Sequence, residues 1–330
     1  MTRADYDVIG IGNAIVDVLS HADDAFLAAN GIEKGGMTLI DTDRAEALYA
    51  RMGPGTEISG GSAANTMAGI ASLGGRAAYV GKVRNDQLGE VFAHDIRASG
   101  VRFTTPFATS GAPTARCLIL VTADAQRSMN TFLGACVDLG PEDVIESEIA
   151  AAQVTYLEGY LWDPPRAKEA FLKAAAAAHK AGRQVSLSLS DAFCVNRYRK
   201  EFLDLVTHHV DILFANETEI LALFETTSFG DAVKAVRATG TLAVLTRGAA
   251  GASVVSRDEL VSVPAAPVAR VVDTTGAGDL FAAGFLYGHT NGRSLEESAR
   301  IGAIAAAEII SHVGARPEVV LAQLVGPKLG

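Results

Sequence analysis

The segment DTTGAGDLFAAGFL, residues 273–286, governs how the rest of the chain is read. Gly276-Ala277-Gly278 stands where the apolar run LFAAGFL (280–286) predicts the start of a helix. The first N–H groups of a helix have no intrahelical acceptor, and here small residues leave them uncovered. The helix dipole adds positive potential at the same spot, so phosphate is attracted to it. Asp279 puts a carboxylate beside that nest. A first-turn aspartate can simply complement the dipole. Next to a phosphate site it can also orient an attacking hydroxyl and accept its proton, which points to phosphoryl transfer. Gly276, Ala277 and Gly278 would then hold the phosphoryl group and Asp279 would act on its acceptor.

Other phosphate motifs are missing. A P-loop needs a glycine where Arg76 stands and a Ser or Thr where Val83 follows Gly81-Lys82. Protein-kinase signatures are absent as well. GIGNAIVD (10–17) begins like a dinucleotide fingerprint, but Ile15 occupies its third glycine position, which leaves an NAD enzyme a minor alternative.

Working outward, apolar strand-like runs alternate with helical patterns. The strands are YDVIGIG (6–12), AAYVGKV (77–83), VTYLEGY (154–160), QVSLSLS (184–190), VDILFAN (210–216) and LAVLTRG (242–248). Helical stretches such as 62–73, 165–182 and 199–209 lie between them, the rhythm of repeated βαβ units. A mostly parallel, helix-covered sheet is predicted. Two regions break the rhythm. Residues 14–59 are rich in turns and 102–133 reads as short β segments, so both are expected to form a small β-sheet lid. The core is then 1–13, 60–101 and 134–330.

With 330 residues, 49% apolar and 20% charged, the chain is expected to bury a large core. Its formal net charge of −10 argues against nucleic acid or an anionic membrane as partner. Cys117, Cys136 and Cys194 are too dispersed for a disulfide framework or zinc site. The absence of a signal-like N-terminus and of a long apolar span leads us to expect a cytoplasmic enzyme, monomeric or homodimeric.

Ligands of parallel sheets gather at the carboxyl ends of strands. Asn13 and Asp17, Asn216 and Glu219, and Thr246-Arg247-Gly248 all fall there. Together with SGGSAANT (59–66) and RSMNTFLGA (127–135), GNAIVDV (12–18), VDILFANETEI (210–220), TRG (246–248) and DTTGAGDLFAAGFL occur in an order that resembles the ribokinase-like carbohydrate kinase family, adenosine kinase branch. The resemblance spans nearly the whole chain and implies a three-layer α/β sandwich with a β lid.

It also implies roles. Asn13, Asp17, Gly61, Ser62 and Asn65 would meet a sugar, with Asp17 accepting from a vicinal diol. Asn216, Thr246, Gly248, Gly276 and Gly278 would bind ATP. Glu219 would hold magnesium through water; a first-turn dipole residue is the alternative, but Glu217 is already available for that duty, so the metal role is preferred. Arg127 would arrive from the lid to neutralise the transferring phosphoryl group. Asp273 and Thr275, with carbonyls near 311–316, are candidates for a monovalent cation such as potassium. The implied reaction is ATP-dependent phosphorylation of a nucleoside 5′-hydroxyl, adenosine first. Guanosine, inosine, cytidine or a free sugar such as ribose stay open as acceptors. Met37, Tyr160, Leu161 and Trp162 are candidate walls of a base pocket.

Overall fold

The computed structural model describes residues 4–124 and 126–326; residues 1–3 and 327–330 of the expected core range, and Ala125 of the lid range, lie outside the described residues. Fourteen strands form two sheets: β1 (Tyr6–Ile11), β2 (Ile15–His21), β3 (Met37–Leu39), β4 (Gly55–Gly60), β5 (Ala77–Val80), β6 (Arg102–Phe103), β7 (Ala115–Val121), β8 (Arg127–Phe132), β9 (Ala152–Glu158), β10 (Gln184–Ser188), β11 (Ile212–Asn216), β12 (Leu242–Thr246), β13 (Ala252–Val255) and β14 (Leu260–Val263).

The large sheet runs β14-β13-β12-β11-β10-β9-β1-β5-β6. Every pairing from β12 to β6 is parallel, while β13 and β14 add an antiparallel edge. All six strand-like runs named above contribute to it. Its strands are buried on both faces, which is why they read as nearly continuous apolar runs rather than alternating ones. Val8, Val154, Ile212 and Val244 point into one core, with Met67, Phe92 and Phe285 from covering helices. Ile9, Leu157, Leu213 and Leu245 point into the other, with Phe171 and Phe202.

The second sheet has the order β3-β8-β7-β2-β4 and is the lid. Its strands come from 15–60 and 115–132, whereas Arg102-Phe103 pairs with β5 in the large sheet. Side chains alternate between its faces. Val18, Leu118 and Leu120 join the core cluster that includes Leu27 and Leu48, from the short helices Asp24–Ala29 and Thr42–Tyr49. Because Asp17 stands opposite Cys117, Cys117 opposite Thr131, and Val121 opposite Arg127, the other face carries Asp17 and Arg127 together.

Asn13, Glu158, Asn216 and Thr246 all end up along the carboxyl edge of the large sheet, at the ends of β1, β9, β11 and β12. Helices Ser62–Ser72 and Ala277–Thr290 pack together over that sheet, with Ala283 and Leu280 meeting Gly69 so closely that a Cβ there would lie 2.7 Å and 2.8 Å from them. Phe285 lies edge-on to Phe214, centroids 5.7 Å apart, and stacks on His289. Phe285→Ala leaves a cavity at this junction; a loss of about 3–5 kcal/mol is expected in urea unfolding.

Candidate active site

Asp279 sits in the first turn of helix Ala277–Thr290, whose cap is Gly276. The chain enters the helix with Gly276 at φ 78°, a left-handed turn that a side chain would strain. Ala277 N donates to Thr274 O at 3.2 Å; among the described residues no acceptor is found for the N–H groups of Gly278 and Asp279. Gly278 is exposed and Asp279 half-buried, so both residues are reached by solvent.

The carboxylate is gripped from the far end of the sequence. Ser62 Oγ donates to Asp279 Oδ1 at 2.6 Å and Asn65 Nδ2 to Oδ2 at 3.0 Å. Ser62 therefore does not cap its own helix. The cap is Gly61, at φ 95°, where a Cβ would stand 2.1 Å from Asn13 O. Asn65 Oδ1 is buried without a partner, an acceptor suited to a ligand hydroxyl. Burial raises Asp279 above its ordinary carboxylate value, while the bonds from Ser62 and Asn65 and the charge of Arg316 pull it back.

Asp17 reaches the same place from the lid. Burial pushes it up to about 6, against the opposing charges of Arg316 and Arg127, and the charge of Asp279 adds to the rise. Asn13 Nδ2 donates 2.7 Å to Glu158 Oε1, and Ala63 N 2.8 Å to Glu158 Oε2. Glu158 was not singled out by motif. It ends an apolar strand at the carboxyl edge, and that placement alone could have flagged it. Burial pushes it up to about 7 despite those two donors.

The nucleotide side is built differently. Asn216 and Thr246 are register partners on β11 and β12. Gly248 is exposed at φ 54°, and Arg247 between them turns away to Glu217 and the Phe229 ring. Asn216 and Glu219 form a capping box: Asn216 N donates to Glu219 Oε2 at 2.9 Å, and Glu219 N to Asn216 Oδ1 at 2.9 Å. Glu219 is thus the third-position partner of that capping box, with Asn216 as the cap. Burial pushes its carboxyl up to about 7, the bond from Asn216 lowers it, and the charge of Asp191 raises it further. A buried carboxylate in that state fits a hydrated divalent cation. Among the described residues no group of three or more His, Cys, Asp or Glu could hold a metal, so such an ion would lean on phosphates and water.

Arg127 lies on Asp273 in a buried ion pair, with Nε left unpartnered. Asp273 also accepts from Gly314 N at 3.0 Å, Thr275 N at 3.0 Å and Thr275 Oγ1 at 2.7 Å. Burial would raise Asp273, but these bonds and Arg127 outweigh it and hold the carboxyl below its ordinary value. With four donors on it, Asp273 in this arrangement does not fit a monovalent cation. Of the expected pocket walls, Leu161 and Trp162 belong to the core instead. Trp162 packs near Phe171 and Phe202 and donates to Glu201 Oε2 at 2.7 Å. Tyr160 stays exposed, its hydroxyl raised first by burial and then by Asp191 and Asp279, and Met37 is exposed on the lid's edge strand.

Asp17, Glu158 and Glu219 hold protons in the fold at pH values where an unfolded chain has lost them. Their contribution to stability is therefore fully present below about 4 and lost as pH rises through about 6 to 7. Thermal melts should show stability falling across that window, and Glu158→Gln should flatten the slope by roughly 3 kcal/mol whatever its absolute stability.

Residues 32–320 match the model of the pfkB family of carbohydrate kinases. The adenosine kinase of Saccharomyces cerevisiae is 27% identical, over 93% of this chain and 95% of its own. The crystal structure of adenosine kinase from Sinorhizobium meliloti is 57% identical with TM-score 0.91, covering 98% of this chain and 100% of that one. A probable sugar kinase from Rhizobium etli gives 53% and 0.91, over 98% and 99%. By the extent of the family match and by these likenesses, the chain belongs to the pfkB family of carbohydrate kinases.

Proposed function

We propose that this kinase transfers the γ-phosphoryl group of ATP to the 5′-hydroxyl of adenosine, giving AMP and ADP. The observation that carries the reading is Asp279, held by Ser62 and Asn65 beside two uncommitted helix N–H groups. Phosphoryl transfer through a loose transition state needs positioning and charge stabilisation more than a strong base. Asp279 orients the acceptor hydroxyl and takes its proton as the new O–P bond forms and the bond to ADP breaks. The N–H groups of Gly278 and Asp279 meet oxygens of the moving phosphoryl group. Asp17 accepts from the ribose diol, and Asn65 Oδ1 and Asn13 supply further contacts to the sugar.

Asn216, Thr246 and Gly248 form the nucleotide side of the edge. Glu219 would hold a magnesium ion through water, and the ion would supply charge neutralisation on the phosphates. Arg127 is close enough to Asp17 to influence its titration, and among the described residues its buried Nε has no partner and is left as a spare donor. Leaving Asp273 for the phosphates would place it on the transferring group.

A nucleoside is favoured over a free sugar by the lid face that carries Asp17 and Arg127. The same face carries half-buried Ile15, Leu19 and Met129 around the buried Cys117 and Ile119, an apolar strip whose outer residues a ribose alone leaves unused and a planar base would cover. The adenosine kinases among the relatives support the same choice. Among the described residues no helix is long and apolar enough to cross a membrane.

ADP release from magnesium-ATP across adenosine, guanosine, inosine, cytidine and ribose tests this directly, adenosine being expected to give the highest kcat/KM. Asp279→Asn should lower kcat by about 10²–10⁴-fold with little change in KM. Near-normal turnover in that variant, or preference for ribose, would overturn the assignment.

A further inference from the structure

Arg316 lies outside every motif described above, yet its guanidinium ties together the segment that carries Ser62 and Asn65. Nε donates to Ser59 O at 3.0 Å, and Nη2 donates to Ser59 O and to Ser59 Oγ, each at 2.8 Å. Nη1 donates to Ala64 O at 2.8 Å. Ser59 is the residue before Gly60-Gly61, and Ala64 lies between Ser62 and Asn65, the two residues that grip Asp279. Ser59 is fixed from its other side by Asp95, whose Oδ2 accepts from Ser59 N at 2.8 Å and Ser59 Oγ at 2.6 Å.

The backbone around Arg316 holds the other loop. Gly314 N donates to Asp273, and Ala315 packs on Gly276, where a Cβ would come within 3.1 Å of it. Residues 314–316 therefore fasten the loop 273–276 with backbone and the loop 59–64 with one side chain. A planar fork presents its donors in fixed directions to three acceptors on two separated residues, a geometry that a rotatable ammonium group on a flexible stem does not pre-organise.

Among the described residues Arg316 makes no ion pair within salt-bridge distance. Its charge is shared at longer range among Asp95, Asp17 and Asp279. In a partly enclosed space such a charge favours the ionised form of the nearby carboxylates.

We infer that Arg316 is a positioning residue for the phosphoryl transfer: its guanidinium closes the turn 59–64 between β4 and helix Ser62–Ser72, and so sets Ser62 and Asn65 in place on Asp279. The inference rests on the assignment of Asp17 and Asp279 under the proposed function. Its test compares wild type, Arg316→Lys and Arg316→Met, measuring kcat, KM for adenosine, KM for ATP and the pH dependence of kcat/KM.

Both variants are expected to raise KM for adenosine about tenfold or more while KM for ATP moves little. In Arg316→Met the acid limb of the kcat/KM profile should move up by roughly one pH unit, because a favourable charge is gone. Arg316→Lys keeps the charge, so its acid limb should stay near wild type despite the raised KM. A lower melting temperature with unchanged KM and an unmoved acid limb would reduce Arg316 to a structural part and overturn the inference. Hydrogen exchange of amides 59–65, read without substrate, should rise at least about tenfold in both variants. Unchanged exchange overturns the closing role even if adenosine proves to be the wrong acceptor. Should Arg316→Met not fold, Ser59→Ala removes one acceptor and leaves the charge; it is expected to raise KM without shifting the acid limb, and an unaltered KM counts against the inference.

Discussion

The two hydrogen bonds that Asp279 receives from Ser62 and Asn65 are the constraint on which the site depends. They join residues more than 200 positions apart and bring the first turns of two helices to one point above the carboxyl edge of the parallel sheet. A carboxylate beside a helix N-terminus is ordinarily a cap that faces its own backbone. Here it faces a neighbouring helix, and its own helix keeps N–H groups to spare. Anion binding and proton acceptance can therefore occur side by side without competing for the same atoms.

Bringing Asp17, Glu158 and Asp279 into one partly enclosed space carries an electrostatic cost. Burial raises all three, and each is offset by different means. Glu158 has two hydrogen-bond donors, Asp279 has two donors and a distant guanidinium, and Asp17 has only longer-range charges. Donors do not by themselves settle the balance: Glu158 is pushed up to about 7 even with two of them and Asp17 to about 6 with opposing charges alone, because burial is the largest cause in each. A ligand that donates hydroxyls to Asp17 would supply what the protein alone leaves out. Glu219 presents the same logic on the nucleotide side, a buried carboxylate tied to Asn216 with no cation of the protein beside it.

The lid arginine shows how one carboxylate can be claimed by several partners. Arg127, Gly314 and Thr275 together saturate Asp273, so the loop before the anion nest is neutralised by the protein itself. The pairing also ties the lid to the core across the cleft. The sequence suggested Arg127 for the phosphates and Asp273 for a cation, two separate duties; the fold places the two residues on each other.

Strands and helices of the large sheet were legible because parallel strands buried on both faces leave long apolar runs, and because the glycine-rich turns at their ends are local. The same local signals made Asn13, Asp17, Asn65, Asn216 and Asp279 candidates, each lying within a few residues of a strand end or helix start. Lid strands were harder to bound, since β6 looks like its neighbours and only pairing assigns it to the large sheet. Glu158, Arg316 and the core burial of Trp162 belonged to no local pattern. What those residues do is decided by hydrogen-bond partners 39 to 257 positions away, which the chain reaches only after folding. The amino-acid order by itself determined the repeating βαβ architecture and the glycine-rich turn that opens helix Ala277–Thr290, because backbone geometry and side-chain type act over short spans. The tertiary structure alone decided which carboxylate is held by which donor, because hydrogen bonds and burial depend on distance in space.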